Sequence, residues 1–311
     1  MIRGSFFSRD FRTGRKTEMQ GRIIRGIAGF YYVVSEGRIW TCRARGIFRR
    51  KGQKPLVGDF VTIEITDETA GEANVTSILP RKNALIRPEA ANVDQAMVFF
   101  ALKNPDPDAV LLDRFLVCMA YQHVPVIICF NKADLADPAE SREWTTLYES
   151  CGYEIRIISA KEGTGTEEVR SLLYGKTTVV AGPSGAGKST FANQMQSLLH
   201  METGELSQKL GRGKNTTRRA ELLMVDEHTF FCDTPGFTSL DLPGMEPEEL
   251  QGCFPEFAPY EPLCRFTQCS HITEPDCGVK QAVEEGKISR RRYESYSMFY
   301  QELKEIRRRK Y

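Results

Sequence analysis

One eight-residue segment constrains this chain more than any other part of its sequence. Gly182–Ser189 reads Gly-Pro-Ser-Gly-Ala-Gly-Lys-Ser, the spacing that is typical of a phosphate-binding loop. The apolar run Thr177–Ala181 precedes it and a helix-like pattern follows, which is the setting that such a loop requires. Glycines let backbone N–H groups close around phosphate oxygens, Lys188 reaches the terminal phosphates, and Ser189 can ligate Mg²⁺. The segment therefore predicts a nucleotide-binding domain without selecting the base.

Strand-like and helix-like patterns alternate on both sides of this loop, from about residue 84 to residue 241. The strand-like runs are Ala96–Leu102, Pro125–Phe130, Glu154–Ser159, Thr177–Ala181 and Thr229–Cys232. Helix-like patterns cover 108–121 and 188–200. Such alternation predicts a parallel sheet with helices on both faces, which is an α/β fold.

Two polar segments follow strands of this predicted sheet. Asn131–Asp134 (Asn-Lys-Ala-Asp) comes directly after an apolar run and resembles the guanine-recognition motif of GTPases. In that motif the Asp carboxylate accepts hydrogen bonds from the N1–H and the exocyclic amine of guanine, a pairing that adenine cannot supply. Ser159–Lys161 (Ser-Ala-Lys) resembles the companion loop that supports the base. Together these segments favour GTP as the nucleotide.

The remaining phosphate contacts are expected further along the chain. Asp233–Gly236 (Asp-Thr-Pro-Gly) resembles the GTPase loop whose Asp helps to hold Mg²⁺ and whose Gly N–H senses the γ-phosphate. Thr216 and Thr217 lie where the first switch supplies one Thr to Mg²⁺, and the sequence leaves both open. The expected magnesium residues are Ser189, Thr216, Thr217 and Asp233. The expected GTP-binding residues are Asn131, Lys132, Asp134, Ser159, Ala160, Lys161, Gly182, Pro183, Ser184, Gly185, Ala186, Gly187, Lys188, Ser189, Thr190, Asp233 and Gly236.

The order of these segments differs from that of ordinary small GTPases, in which the phosphate loop comes first. Here the base-recognition segments, at residues 131 and 159, precede the phosphate segments at residues 182, 216 and 233. A circular permutation moves the termini in this way and preserves the site. It also makes the second switch, after Gly236, run directly into the C-terminal part, so that a nucleotide-driven switch could pull on that part.

Three cysteines and one histidine lie close together late in the chain. They are Cys264, Cys269, His271 and Cys277. Three thiolates and one imidazole at this spacing suit a tetrahedral structural zinc ion with no open position for catalysis. We expect one Zn²⁺ per chain and assign Cys253 to the hydrophobic core. The other cysteines are scattered through apolar surroundings, which favours buried free thiols and a reducing cytosol.

Short strands separated by turns fill the N-terminal part, at 20–25, 29–35, 38–45, 60–66 and 72–79. Five short strands in about 60 residues predict a small barrel of the oligonucleotide-binding (OB) type. Four aromatic residues in it are interleaved with arginines, namely Phe30, Tyr31, Tyr32 and Trp40. Aromatic rings beside guanidinium groups suit stacking on bases and contact with phosphate. Half of these rings are expected to fill the barrel core instead.

The net charge of +1 conceals two basic ends. Residues 1–54 contain 14 Lys/Arg and 3 Asp/Glu, and residues 287–311 contain 9 and 3. Basic ends around an acidic middle suggest contact with a polyanion, for which nucleic acid is the first candidate. The sequence has neither a membrane-length apolar run nor a basic N-terminus followed by an apolar signal stretch, so we expect a cytoplasmic protein without membrane contact.

A small barrel, a permuted GTPase domain and a Cys-Cys-His-Cys module, in that order, resemble the RsgA-type, small-ribosomal-subunit-dependent GTPases of bacteria. The resemblance covers residues 19–311. It implies GTP hydrolysis stimulated by the small subunit, a role in late subunit maturation, and a barrel and zinc module that grip ribosomal RNA; we expect a monomer. The expected parts are an extension (1–18), an OB-like barrel (19–81), a permuted GTPase domain (82–241) and a mainly helical zinc-binding domain (242–311).

The sequence departs from that family at one position. The family usually has a His before its switch threonines, thought to orient or activate the attacking water, and here that position is Asn215. The residue after Asp-x-x-Gly is Phe237 and not glutamine. An Asn can orient a water through its amide oxygen but cannot act as a base near neutral pH. The catalytic candidates are therefore Lys188 and Asn215, and we expect slow intrinsic hydrolysis.

Three other interpretations stay open on the sequence. The first is a GTP-gated RNA-binding assembly factor with negligible hydrolysis, because Asn215 replaces the family His. The second is a permuted GTPase that acts on the large subunit, which the positions of the barrel and the zinc module disfavour. The third is a nucleotide kinase, because the phosphate loop also resembles that of guanylate kinases, although Asn131–Asp134 leaves little room for it.

Overall fold

The computed structural model describes residues 18–46, 48, 52–86, 88–203, 221–226, 228–233 and 241–310, with the backbone alone at 196–203, 233 and 310. These residues form two compact units that divide between Asn83 and Ala84. Among the helices of the described ranges, none is long and apolar enough to span a membrane.

Five strands form the first unit. They are β1 (Glu18–Ile27), β2 (Phe30–Ser35), β3 (Arg38–Ala44), β4 (Phe60–Asp67) and β5 (Glu72–Ile78). They follow one another in the order β1-β2-β3-β5-β4, and β4 pairs back with β1, where Met19 lies opposite Ile63. Alternate residues such as Val61 and Ile63 face a common core, which is the period-2 pattern of strands. The predicted OB-like barrel is confirmed, although β1 already begins at Glu18.

The four aromatic residues of the barrel divide between core and surface as expected. Trp40 and Tyr31 pack with the barrel core. Phe30 and Tyr32 are half-buried, and a guanidinium group lies over each ring. The distances to the ring centroids are 4.8 Å for Arg43 over Phe30 and 5.1 Å for Arg25 over Tyr32. Two of the four rings therefore lie outside the barrel core, each beside an arginine.

A mainly parallel sheet forms the framework of the second unit. Its strands are β8 (Gln95–Ala101), β9 (Val126–Asn131), β10 (Glu154–Ile157), β11 (Thr177–Ala181), β12 (Glu221–Met224) and β13 (Phe230–Asp233), after a small hairpin of β6 (Ala84–Leu85) and β7 (Ala90–Ala91). The order is β10-β9-β8-β11-β13-β12. All pairs are parallel except β12–β13. Every strand-like run expected for this sheet is present within two residues; β12, only four residues long, was not predicted.

Six α-helices are described in this unit, and several of them begin at a side-chain cap or at the phosphate loop. They are α1 (Ala109–Tyr121), α2 (Pro138–Glu149), α3 (Thr166–Ser171), α4 (Lys188–Thr203), α5 (Gly278–Glu284) and α6 (Arg290–Lys310). The side chain of Asp108 accepts a hydrogen bond from the N–H of Leu111 and so caps α1. Asp137 and Glu140 form a capping box at the start of α2. Helix α4 begins directly at Lys188 of the predicted phosphate loop.

The C-terminal part packs on α1 through an extensive apolar core. Three 3₁₀ helices (Pro247–Cys253, Pro255–Phe257 and Glu261–Leu263) precede α5 and α6. Val117 of α1 lies in one cluster with Leu242, Met245, Phe254 and Tyr296. Residues 84–310 therefore form a single compact unit where they are described, and the separate zinc domain at 242–311 stays a prediction.

Candidate functional site

The predicted phosphate loop connects the fully buried strand β11 to the first residue of α4. Gly182 has φ +136°, and a Cβ there would stand 2.1 Å from the carbonyl oxygen of Phe99, so a larger residue does not fit. The Nζ atom of Lys188 donates hydrogen bonds to the carbonyl oxygens of Gly182 and Pro183, each across 2.7 Å. The loop thus curls around the ammonium group of its own lysine.

Asn131 joins the phosphate loop to both base-recognition segments. Its side chain is 2% exposed, and its Nδ2 donates to the carbonyl oxygen of Ala186 across 2.9 Å. Its Oδ1 accepts from the N–H of Ala160 at 2.9 Å and from that of Lys132 at 2.8 Å. A buried amide can satisfy three backbone groups in this way, so one side chain fixes the relative positions of three loops.

A short hydrogen bond orients the carboxylate that the sequence assigns to guanine. The hydroxyl of Ser159 donates to Oδ1 of Asp134 across 2.6 Å, and the same hydroxyl oxygen accepts from the N–H of Glu162 at 3.2 Å. Ser159 is buried and Asp134 is half-buried. The second carboxylate oxygen of Asp134 is therefore the one left for a ligand, because Oδ1 is engaged by the protein.

Two contacts at this site were not predicted from the sequence. The side-chain amide of Gln194, two turns into α4, donates to the carbonyl oxygen of Ala160. The Nζ atom of Lys132 donates to the carbonyl oxygen of Asn104, in the loop that follows β8. Neither Gln194 nor Asn104 belongs to a recognisable motif, so spacing along the chain gave no signal. Their contacts exist only because the strand ends meet at one edge of the sheet.

The other predicted site residues fall into three groups. Those exposed at the rim of the loop are Ser184, Gly185, Ser189, Thr190 and Lys161. Asp233 is the last residue of β13 and lies opposite Val180 in the register with β11, next to the start of the phosphate loop. Asn215, Thr216, Thr217 and Gly236 lie outside the described residues, as does most of the 1–18 extension. Their roles stay predictions.

The four predicted metal ligands come together in the second unit. The ligand atoms of Cys264, Cys269, His271 and Cys277 lie within 4.8 Å of one another. Nδ1 of His271 is 3.3 Å from Sγ of Cys277 and 3.6 Å from Sγ of Cys264. Cys253 lies in the adjoining hydrophobic core, as expected. This Cys₃His cluster could hold a metal ion.

The surroundings of the cluster fix its geometry and favour a cation. The hydroxyls of Tyr293 and Tyr296 donate to the carbonyl oxygens of His271 and Ser270, across 2.6 and 2.7 Å. Burial raises the pKa of Cys269 to about 12 in the absence of a metal, so that a thiolate there needs a nearby positive charge. Aromatic walls and buried thiols are therefore compatible with a structural metal ion and not with a reactive cysteine.

Comparison with known proteins agrees with this geometry. The family described as "RsgA GTPase" matches residues 78–243, and "RsgA N-terminal domain" matches residues 20–72. A protein of Agathobacter rectalis named "Small ribosomal subunit biogenesis GTPase RsgA" is 52% identical over 92% of this chain and 98% of its own length. A protein of the same name from Alkaliphilus metalliredigens is 45% identical over 93% and 99%.

Two solved structures share the architecture. YjeQ from Thermotoga maritima has a TM-score of 0.77 and 36% identity over 92% of this chain and 99% of its own. YloQ, described as a circularly permuted GTPase, has a TM-score of 0.76 and 34% identity over 96% and 99%. The permuted order of motifs expected from the sequence is thus confirmed. The names of these relatives also favour a GTP hydrolase over a nucleotide-gated binding factor.

Proposed function

The chain belongs to the RsgA family of GTPases, and from that premise we propose that it binds the small ribosomal subunit and hydrolyses GTP there during late subunit maturation. The observation that carries the proposal is the hydrogen-bonding of Asn131, which ties the phosphate loop to the two segments that would hold guanine. A site of this kind binds the base and the phosphates as one rigid unit. The relatives' names supply the small subunit as the partner.

We assign guanine recognition to Asp134 and its support. Its free carboxylate oxygen would accept from the N1–H and the exocyclic amine of guanine, while Ser159 holds the other oxygen. Ala160 would support the base from the loop that Asn131 and Gln194 fix from two sides. Adenine lacks the matching donors, so the second carboxylate oxygen of Asp134 would have no partner on the base, which disfavours adenine.

We assign phosphate binding to the loop Gly182–Thr190 and charge stabilisation to Lys188. The ammonium group of Lys188 would exchange its carbonyl partners for the terminal phosphate oxygens, where it stabilises the charge that develops during transfer. Ser189 at the start of α4 and Asp233 at the end of β13 would hold Mg²⁺, together with Thr216 or Thr217. When bound, Mg²⁺ neutralises charge on the phosphates; Asn215 would orient the attacking water.

We assign the metal of the Cys₃His cluster to structural zinc. Three thiolates and one imidazole match the donor set that Zn²⁺ prefers, and all four protein ligands together leave no open position. The ion would fix the loops that lead into α5 and α6. Its function would therefore be to shape the C-terminal part for binding and not to take part in hydrolysis.

We further propose that the protein is a cytosolic monomer that contacts ribosomal RNA. The Arg–aromatic pairs of the barrel, Arg25–Tyr32 and Arg43–Phe30, suit bases and phosphates of RNA. A conformational change that follows GTP hydrolysis would be transmitted through the chain after Asp233. Leu242 and Met245, just beyond the second-switch segment, are buried against Val117 and the C-terminal helices.

The test is GTP hydrolysis with and without purified small subunits, for the unmodified protein and for Asn215→Ala. Strong stimulation by the subunit in the unmodified protein is expected. If stimulation disappears in Asn215→Ala while GTP and subunit binding persist, Asn215 positions the water. If stimulation persists in Asn215→Ala, another residue or the subunit supplies the group that positions the water. Tight binding of both partners without any stimulation would contradict the proposed function.

A further inference from the structure

A groove runs between α2 and the start of α6. Its volume is about 580 Å³. The residues that line it come from 139–147 of α2 and from 289–291 at the beginning of α6. One wall thus belongs to the α/β part of the unit and the other to the C-terminal part.

Positive charge dominates the lining of this groove. Three arginines face one carboxylate, since Arg142, Arg290 and Arg291 share the groove with Glu143. Within the described ranges, Arg142 and Arg290 are exposed and have no carboxylate within ion-pair distance, whereas Arg291 lies 3.6 Å from Glu143. The groove therefore keeps two guanidinium groups that the protein itself does not neutralise.

The basic run at the C-terminus is different in this respect, although it is more conspicuous in the sequence. Arg307 contacts Glu248 at 3.1 Å and Glu246 at 3.6 Å, and Arg309 lies 3.9 Å from Glu305. Much of the charge of that run is paired within the protein. Among the described residues, Arg142 and Arg290 add unpaired charge in the groove, where residues 148 positions apart in sequence meet.

Buried ion pairs and hydrogen bonds hold the two walls of the groove together. Arg292, fully buried, donates to Asp113 of α1 at 2.5 Å and to Glu256 at 2.7 Å. Tyr148 of α2 donates to the same carboxylate of Asp113 at 3.0 Å. Because both walls are anchored to one buried carboxylate, their backbone positions are fixed before a ligand binds, and only the exposed arginine side chains have to be ordered.

The shape and charge of the groove together identify a ligand class. The start of α6 contributes backbone N–H groups ahead of the first helical hydrogen bond, from Tyr293 N–H to Ser289 O, and these favour an anion. The guanidinium of Arg291 lies over the ring of Trp144, 5.1 Å from its centroid. This cation–π contact holds the positive charge of Arg291 at the wall of the groove. Guanidinium groups beside helix N–H donors match phosphate oxygens better than they match any neutral ligand.

We propose that this groove binds the phosphate backbone of RNA, as a docking site separate from the barrel. The inference rests on the proposed function only in taking the RNA from the small ribosomal subunit. Arg142 and Arg290 contact successive phosphates, and Arg291 remains on Trp144 beside them. Because the two walls belong to the α/β and the C-terminal parts, RNA bound here touches both parts at once.

The experiment measures binding of the full-length protein, loaded with a non-hydrolysable GTP analogue, to purified small subunits at several salt concentrations. The test variant is Arg142→Ala/Arg290→Ala. The control is Arg156→Ala/Arg170→Ala, which removes the same charge from arginines paired with Glu154 and Glu167. Removing one arginine that neutralises a phosphate reduces the slope of log affinity against log salt by about 0.7–0.9. We expect the slope to fall by about 1.5 in the test variant and to stay unchanged in the control.

The same titration with protein-free small-subunit RNA identifies the class of partner. Weaker binding to both the subunit and the RNA supports the inference. Weaker binding to the subunit alone would assign the groove to an acidic protein surface and would overturn it, and so would an unchanged slope in the test variant. If the unmodified protein binds no subunits at all, the proposed function fails. GTP affinity and melting temperature are measured for every variant and show whether it is folded.

Discussion

The Nδ2 atom of Asn131 lies 2.0 Å from the point where a Cβ on Gly187 would stand. The hydrogen bond from Asn131 to the neighbouring Ala186 carbonyl causes this approach, since it draws the side chain onto the loop backbone. Gly187 of the phosphate loop and Asn131 of the base-recognition segment therefore pack directly against each other. This contact explains why a glycine is needed opposite the asparagine, although the two residues belong to separate motifs.

Gly187→Ala should abolish detectable GTP binding, because the added methyl group collides with Asn131 and opens the loop. The matched control is Gly175→Ala. Gly175 also has a positive φ (+69°, against +92° at Gly187), but no atom lies within 4 Å of its Cβ position. Both variants place an alanine at a positive φ and so strain the backbone, but only in Gly187→Ala does the methyl group also collide with a neighbouring side chain. Titration with a fluorescent GTP analogue measures the difference; equally weakened binding in both variants would assign the effect to strain.

Asn131→Ala should weaken binding of GTP and GDP by a similar factor. The variant leaves two backbone N–H groups and one carbonyl without their partner, and each unpaired buried group costs about 1–3 kcal/mol. In the free variant the loops can relax and hydrate these groups, so that nucleotide binding has to bury them again, and we expect affinity to fall at least about tenfold. Asn74→Ala, on the barrel, serves as the control. Calorimetric titration with each nucleotide checks the prediction, which is wrong if GTP and GDP are affected very differently.

Asp134→Asn should exchange guanine for xanthine as the preferred base. The hydroxyl of Ser159 can still donate to the amide oxygen, which turns the new NH₂ group toward the base. An NH₂ group repels the donors of guanine but pairs with the 2-oxo group of xanthine. GTP binding should fall by about 100-fold or more while XTP binding appears. In Asp134→Asn/Ser159→Ala the amide is no longer oriented, so XTP should bind less well than in the single variant.

Chelation of the metal should lower the stability of the C-terminal part. Elemental analysis should find about one zinc per chain, unchanged in Cys253→Ala and absent in Cys269→Ala, since only Cys269 is in the cluster. Thiols bind zinc as thiolates, so binding releases protons and the apparent affinity falls as the pH falls. Burial raises the pKa of metal-free Cys269, which extends this dependence to higher pH. A metal-free protein with unchanged melting temperature would contradict the assignment.

Arg292→Ala should destabilise the second unit by about 3–5 kcal/mol, because it leaves Asp113 and Glu256 buried without their cation. The matched control is Arg114→Ala. Arg114 pairs with Glu302 across the same two helices, α1 and α6, but both side chains are partly exposed. Its removal should cost about 1 kcal/mol or less in pairing energy. Urea unfolding measures the free energy of unfolding of both variants. An equal loss in the two would show that burial does not determine how much an ion pair contributes to stability.

Local patterns predicted most of the fold. The period-2 alternation in strands such as β4 and the strand–loop–helix setting of Gly182–Ser189 depend on near neighbours only, and both are present as expected. Strand β12 was missed because Glu221–Met224 is short and its place is set by pairing with β13. Asn215 and the switch threonines lie outside the described residues, so their roles rest on sequence alone.

The sequence by itself determined the chemistry of this protein: which residues can cradle phosphate, which can select guanine and which can bind a metal. Those properties depend on residue type and short spacing. Only the tertiary structure decided that Asn131 bonds to Ala186, that Gln194 holds Ala160, and that Arg142 and Arg290 share one groove. Such contacts join residues far apart in the chain, and their partners are set by how strands and helices pack, which no local pattern records.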